Sequence, residues 1–271
     1  MPPVSSVWPQ STRLTPEQLE AFIEDGFVRI DGAFPRRLAN EARAILRRDM
    51  GCDPEDPRTW TAPVIRIGGY SQTPFIQAAN TRVLHLAFDR LVGAGRWHAR
   101  GDLGPFSVRF PTADPGGREW RVEPGFGRER KDSSSSRVNV SSKGTALLML
   151  FLFSDVGHDD GPTRLRVGSH RDIARRLAEA GDRGLSLREL SASGFAQSAN
   201  RPVALATGEA GTVYLCHPFV VHGVEPHRGT RPSFIAQPAL RPASPLMLDR
   251  PNGDYSAVET AIRRALAAPP D

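Results

Sequence analysis

Gly211-Thr212-Val213-Tyr214-Leu215-Cys216-His217-Pro218-Phe219-Val220-Val221-His222-Gly223-Val224-Glu225-Pro226-His227-Arg228-Gly229-Thr230-Arg231-Pro232-Ser233-Phe234 carries three histidines and two arginines between short β-branched and aromatic segments. Glycines and prolines punctuate it, so it reads as strand, turn, strand. His222 then lies on one strand and Arg231, nine residues on, belongs to the next. A histidine and an arginine so related suit a metal ion and an anionic ligand held together. The remainder of such a site has to come from upstream.

Outward from this stretch, residues 145–156 contain Ala-Leu-Leu-Met-Leu-Phe-Leu-Phe, apolar at odd and even positions alike. That pattern predicts a central strand covered on both faces. Further strands are predicted at 163–167, 202–206, 212–216, 219–225 and 233–240, and earlier at 27–30, 107–110 and 120–123. Thr15 caps a helix that opens on Pro16 and Glu17, buries Leu19, Phe22 and Ile23, and stops at Gly26. Other helices are predicted at 35–49, 80–92 and 257–267, with a surface-lying one at 173–180. Residues 51–80 read as irregular. The polar, Ser-rich run 125–137 reads as a loop or lid. Helices ahead of many short strands indicate an α+β, mainly β fold, a sandwich or barrel with an N-terminal helical cover. The expected organisation is a flexible stretch at 1–14 and one domain over 15–271.

Composition narrows the function. The 24 prolines and 25 glycines suit a turn-rich β fold. The net charge of +5 raises the question of nucleic acid, but all but two of the 35 basic residues are arginines scattered among 30 acids. Neither a basic stripe nor an aromatic platform is present, so no nucleic-acid partner is expected. No apolar run approaches the roughly 20 residues of a membrane span, and the N-terminus lacks a basic-then-apolar signal. A cytoplasmic protein with both cysteines, Cys52 and Cys216, reduced is the expectation. Its oligomeric state stays open.

The run from Asp155 to His170, with Gly161-Pro162-Thr163 and Gly168-Ser169-His170, resembles the phytanoyl-CoA dioxygenase family. So do the opening run from Asp25 to Ile30 and the segment around His222. The likeness spans roughly residues 15–242. It implies a double-stranded β-helix, the cupin-like jelly roll. It further implies Fe(II) held by a 2-His-1-carboxylate triad, with 2-oxoglutarate as co-substrate. On this resemblance His222 matches the distal histidine ligand and Arg231 the arginine that pairs with 2-oxoglutarate. Arg109 falls where a second polar contact to the co-substrate would lie.

The proximal ligand pair departs from the family. Where His-x-Asp is expected, Trp120 is followed by Arg121-Val122-Glu123. Glutamate can serve as an oxygen ligand, giving a tentative two-ligand iron site of Glu123 and His222. Arginine cannot replace histidine, because its guanidinium has no lone pair to give. Strand alternation puts Arg121 and Glu123 on one face, where they are expected to pair. The strings His158-Asp159-Asp160 and His170-Arg171-Asp172 lie after the apolar strand, the wrong place for the proximal ligands. His170 reads as a structural histidine, and His217 as facing away from His222.

Three functions follow. The resemblance implies an enzyme of specialised metabolism that oxidises a small molecule with Fe(II) and 2-oxoglutarate, by hydroxylation, desaturation or cyclisation. The departure implies instead a metal-independent cyclase, isomerase or lyase that uses Arg121, Glu123 and His222 as polar and acid–base groups. The third is a ligand-binding protein without catalysis.

Overall fold

The computed structural model describes residues 13–111, 119–123, 136–142 and 144–268. In chain order these form α1 (Pro16–Asp25), β1 (Phe27–Ile30), α2 (Arg36–Asp49), β2 (Val64–Gly69), α3 (Thr73–Ala79), α4 (Arg82–Leu91), β3 (Pro105–Arg109), β4 (Arg137–Val138), β5 (Leu147–Leu152), β6 (Thr163–Arg166), α5 (Ser169–Glu179), β7 (Leu185–Ser186), α6 (Leu187–Ser191), β8 (Val203–Ala206), β9 (Val213–Cys216), β10 (His222–Val224), β11 (Ser233–Ala236), β12 (Ala239–Leu240) and α7 (Ala257–Ala267). A seven-stranded antiparallel sheet runs β1-β9-β5-β11-β3-β2, with β12 added beside β5. A second sheet has the order β10-β6-β8.

The continuous apolar run of β5 is explained by its two neighbours. Leu148, Leu150 and Leu152 enter a cluster with Leu165 and Ala206 of the small sheet and with Tyr214, Cys216 and Ile235 of the large one. Leu147, Met149 and Phe151 face the opposite way, into a larger cluster with Phe22, Leu46, Phe75 and Leu84 of the helices. A strand between an inter-sheet core and a helical layer has no polar face to offer. Between the large sheet and the helical layer Phe75, Phe106 and Phe153 pack edge-to-face or tilted at centroid distances of 5.0–6.1 Å, each pair adding about 1 kcal/mol beyond its area burial.

Helix starts follow the side-chain chemistry. Thr15 and Gln18 close a capping box at α1, as Ser256 and Glu259 do at α7. Gly26 ends α1 at φ +88, and a Cβ there would sit 2.5 Å from Nδ1 of His170. The helix and the buried histidine therefore both require glycine.

Several sequence expectations need correction. Leu14, inside the stretch expected to be flexible, is buried in the core; residues 1–12 lie outside the described residues. The region 51–80 is not irregular throughout, since it contains β2 and α3. The helix expected on the surface at 173–180 is α5, which buries Ile173, Ala174 and Leu177 and packs against α7. The strand expected at 219–225 is ordered as β10 over three residues only, and 233–240 breaks at Gln237-Pro238 into β11 and β12. Of the expected loop at 125–137, residues 125–135 lie outside the described residues, and its end belongs to β4, which pairs with β7.

Candidate functional site

The site grows from one pair of residues on opposite chains of backbone. Arg121 and His222 form a bridge in which the Arg121 N–H donates to the His222 carbonyl at 2.8 Å and the His222 N–H donates back at 2.9 Å. The segment 120–123 is thus an extended strap on β10, with this single bridge in place of the expected strand. It can come so close because Gly223 has no side chain: a Cβ there would meet Nε of Arg164 at 2.8 Å and the Glu119 carbonyl at 2.9 Å. Trp120 packs under the guanidiniums of Arg164 and Arg166, at 4.1 and 4.2 Å from the ring centre. That contact holds Trp120 on one side, and alternation sends Arg121 and Glu123 to the other.

His222 is fully buried. Its Nδ1 lies 3.2 Å from the Val220 carbonyl, which assigns the proton to Nδ1 and leaves Nε2 an acceptor. Nε2 receives the Arg121 Nε–H at 3.1 Å. The Glu123 carboxylate approaches the same nitrogen at 3.4 Å. Arg121 also donates to Oε1 of Gln237 at 2.9 Å. The expected Arg121–Glu123 ion pair is therefore replaced by contacts of both residues with His222, and Glu123 acts on Arg121 through its charge. Burial pushes the Arg121 pKa down, opposed by Glu123 and reinforced by Arg66.

Arg109 is brought toward this cluster. It is 3% exposed, and donates to the Gly161 carbonyl and, at 3.2 Å, to Oγ1 of Thr163. Gln237 Nε2 donates to the same oxygen at 3.0 Å. Arg109, Thr163, Gln237, Arg121 and His222 thus form one hydrogen-bonded chain through the space between the sheets. Burial, then the charges of Arg121 and Arg66, bring the Arg109 pKa down to about 9. Beside the chain opens a cleft of about 450 Å³, lined among others by Arg66, Ser107, Arg121, Glu123, Ser191 and Gln237.

Arg231 stands elsewhere. It is exposed and lines a separate cleft of about 830 Å³ with Arg36, Arg43 and Arg47 of α2 and with Trp60. The two clefts share no lining residue. His217 packs against Phe22 of the helical layer, away from His222, and the His170 Nε2–H donates to the Ile23 carbonyl at 3.0 Å, tying α5 to α1. The sequence marks Thr163 only as part of the Gly161-Pro162-Thr163 string and gives neither it nor Gln237 a place in the site. Gln237 carried a faint signal, the one polar residue in a run of Phe-Ile-Ala-Gln-Pro-Ala-Leu, in phase with the inward Ile235.

The donor set does not fit a triad-held iron. Among the described residues no three His, Cys, Asp or Glu side chains are placed to share a metal ion. The lone pair that His222 would give to a metal is engaged by Arg121, and a fixed positive charge sits beside it.

No family model matches the chain, and no curated protein matches it significantly. Its fold is shared with solved structures. HygX from Streptomyces hygroscopicus, with nickel, 2-oxoglutarate and hygromycin B bound, superposes with a TM-score of 0.53 at 20% identity over 85% of this chain and 88% of that one. SnoK, a non-heme α-ketoglutarate-dependent carbocyclase from nogalamycin biosynthesis, gives 0.55 at 15% identity over 89% of each chain. The epimerase SnoN, in complex with Fe3+, α-ketoglutarate and nogalamycin RO, gives 0.54 at 15% identity over 88% and 86%. At these identities the likeness is one of fold.

Proposed function

We propose that this chain is an enzyme that transforms an acidic small molecule by proton transfer on a double-stranded β-helix of the oxygenase type, without a metal ion held by the protein. The observation that carries this reading is the hydrogen bond from Arg121 Nε to His222 Nε2. It commits the one histidine that could have anchored a metal, and it fixes a guanidinium at the wall of the cleft. Arg121 spends two of its five N–H groups on His222 and Gln237, which leaves three for a ligand oxygen. Glu123 faces the same space and supplies the base.

The chemistry these groups support is abstraction of a proton from carbon next to a carbonyl. Glu123 takes the proton, the C–H electron pair forms the carbon–carbon double bond of the enolate, and the carbonyl π pair moves onto oxygen. Arg121 hydrogen-bonds the oxygen as negative charge develops there. Return of the proton to another carbon completes an isomerisation; expulsion of a leaving group by the returning pair completes an elimination; attack on an internal electrophile closes a ring. His222, held by Val220, positions the guanidinium through Nε2.

The shared fold favours a second reading, oxidation with iron and 2-oxoglutarate, and one experiment separates the two. Anaerobic Fe(II) titration is followed by assay of succinate release from 2-oxoglutarate, alongside deuterium uptake from D2O into a panel of small oxo acids, read by NMR without added metal. The expected result is no stoichiometric iron, no succinate, and exchange that falls about 10²–10⁴-fold in Glu123→Gln. Stoichiometric iron with succinate release would replace this reading by oxidation. Binding of acids with no exchange in the wild type would replace it by a non-catalytic binding protein.

A further inference from the structure

The larger cleft, walled by Arg36, Arg43, Arg47, Trp60 and Arg231, lies apart from the one around Arg121 and shares no residue with it. One face of α2 builds its basic side. Arg36, Asn40, Arg43 and Arg47 recur at steps of four, three and four residues, which a helix brings onto one side. Leu38, Ala39, Ala42 and Leu46 of the same helix are buried in the core. Arg43 reaches from α2 to the end of β5, where it donates to the Phe153 carbonyl. The Phe153 N–H in turn donates to the Phe234 carbonyl of β11 at 2.9 Å. The chain enters β11 through Thr230-Arg231-Pro232, and so Arg231 joins Arg43 at one cleft.

Four arginines face three carboxylates here, and the carboxylates are already engaged. Arg36 pairs with Asp155 at 2.7 Å and with Glu209 at 3.2 Å, and Arg47 with Glu55 at 3.2 Å. Asp160 accepts the Gly157 N–H at 2.8 Å. Among the described residues Arg43 and Arg231 have no carboxylate partner. Arg43 gives one N–H to Phe153 and one, at 2.7 Å, to Oδ1 of Asn40, which leaves three. It is half-buried, and burial pushes its pKa down; the charges of Arg47 and Arg36 add to that, and Asp155 opposes it. A bound anion relieves the strain on this cation.

The kind of anion follows from the geometry of the donors. A carboxylate has two oxygens, and a single guanidinium fork occupies both. A phosphate monoester offers three oxygens and a charge of about −1.5 to −2 at neutral pH, enough for two guanidiniums to share. The cleft, of about 830 Å³, has the size of a small-molecule pocket. Its apolar wall is Trp60 with Pro54 and Pro57. The indole is fixed in place: its N–H donates to the Asp53 carbonyl at 2.9 Å, and its ring packs 5.2 Å from that of Phe110.

We infer that this cleft binds a phosphate monoester with a ring-shaped body, the phosphate held between Arg43 and Arg231 and the ring against Trp60. The site stands independently of the proton transfer proposed at Glu123.

Titration of the full chain with phenyl phosphate, without added metal and followed by calorimetry and tryptophan fluorescence, tests this. Inorganic phosphate, benzoate and 2-oxoglutarate serve as competitors. Phenyl phosphate is expected to bind at one site, with benzoate and 2-oxoglutarate displacing it about tenfold or more less effectively than it binds. Arg43→Gln and Arg231→Gln are each expected to weaken it about tenfold. Arg48→Gln, an exposed α2 residue outside the cleft, removes the same charge and is expected to leave the affinity unchanged. Trp60→Leu is expected to bring phenyl phosphate down to the affinity of inorganic phosphate. No saturable binding overturns the site, as does displacement by 2-oxoglutarate as effective as that by phosphate. An equal loss in Arg48→Gln reduces the effect to net charge and overturns it too. If Arg43→Gln does not fold, the exposed Arg231 decides: unchanged affinity in Arg231→Gln overturns the inference.

Discussion

At the scale of single residues, the proposed chemistry turns on position 121. Its backbone bridge to His222 places whatever side chain it carries beside Nε2 of that histidine. Arginine there turns the histidine lone pair into a hydrogen-bond acceptor. Arg121→His combined with Glu123→Asp supplies an imidazole nitrogen and a shorter carboxylate at the same face. The double variant is expected to bind Fe(II) or Ni(II) in calorimetry where the wild type does not. Absence of binding in a folded double variant would mean that residues 121, 123 and 222 do not converge. Sequence alone exposes Arg121, Glu123 and His222, because each stands at a recognisable place in a motif. It does not expose the contacts of Thr163 or Gln237, which come from partners on other strands.

At the scale of elements, α1 and α5 are locked to each other through Gly26 and His170. Gly26 closes α1 in the left-handed region, and its α-carbon leaves room for the imidazole that reaches the Ile23 carbonyl. Gly26→Ala adds about 1–2 kcal/mol of backbone cost and drives a methyl into His170. Denaturant unfolding is expected to show a loss larger than the backbone cost by itself; a loss under about 0.5 kcal/mol would show that the contact is slack. One helix start was legible from local chemistry, since Thr15 caps α1 as its sequence suggests; Thr81, Ser186 and Ser256 cap three more, and α2, α3 and α5 begin without a side-chain cap. Element lengths were less so. β10 and the 120–123 strap are shorter than their β-branched residues alone would give, because pairing ends where the neighbouring strand ends.

At the scale of the whole molecule, two buried histidines link the sheet to the helical layer and make its stability depend on pH. His170 and His217 lie 4.8 Å apart between ring centres, tilted at 42°, and His217 packs against Phe22 and Phe219. Burial pushes the His170 pKa from 6.5 to about 3. It holds His217 well below 6.5, with the His170 charge acting in the same direction. The folded state therefore binds fewer protons than the unfolded one below the ordinary imidazole range. Stability from these two groups is complete above about pH 6.5 and is lost as pH falls toward 3, by up to about 1.4 kcal/mol per pH unit for each. Melting temperatures measured from pH 7.5 to 4.5 are expected to fall less steeply in His170→Gln than in the wild type. Parallel curves would remove the histidine pair from the account.

The apolar parity of residues 145–156 determined, without any coordinates, that one strand lies between two cores. Thr15 determined where α1 begins, and the Gly-Pro punctuation determined a β-rich fold. These are local consequences of backbone geometry and hydrophobic burial, carried by neighbours along the chain. Tertiary structure alone decided that Arg121 meets His222 and Gln237, that Arg109 lies buried among cations, and that Arg231 serves another cleft. The reason is geometric. Alternation fixes the face on which a side chain lies, but its partner is set by the register of strands distant in sequence and by the path of the turn between them.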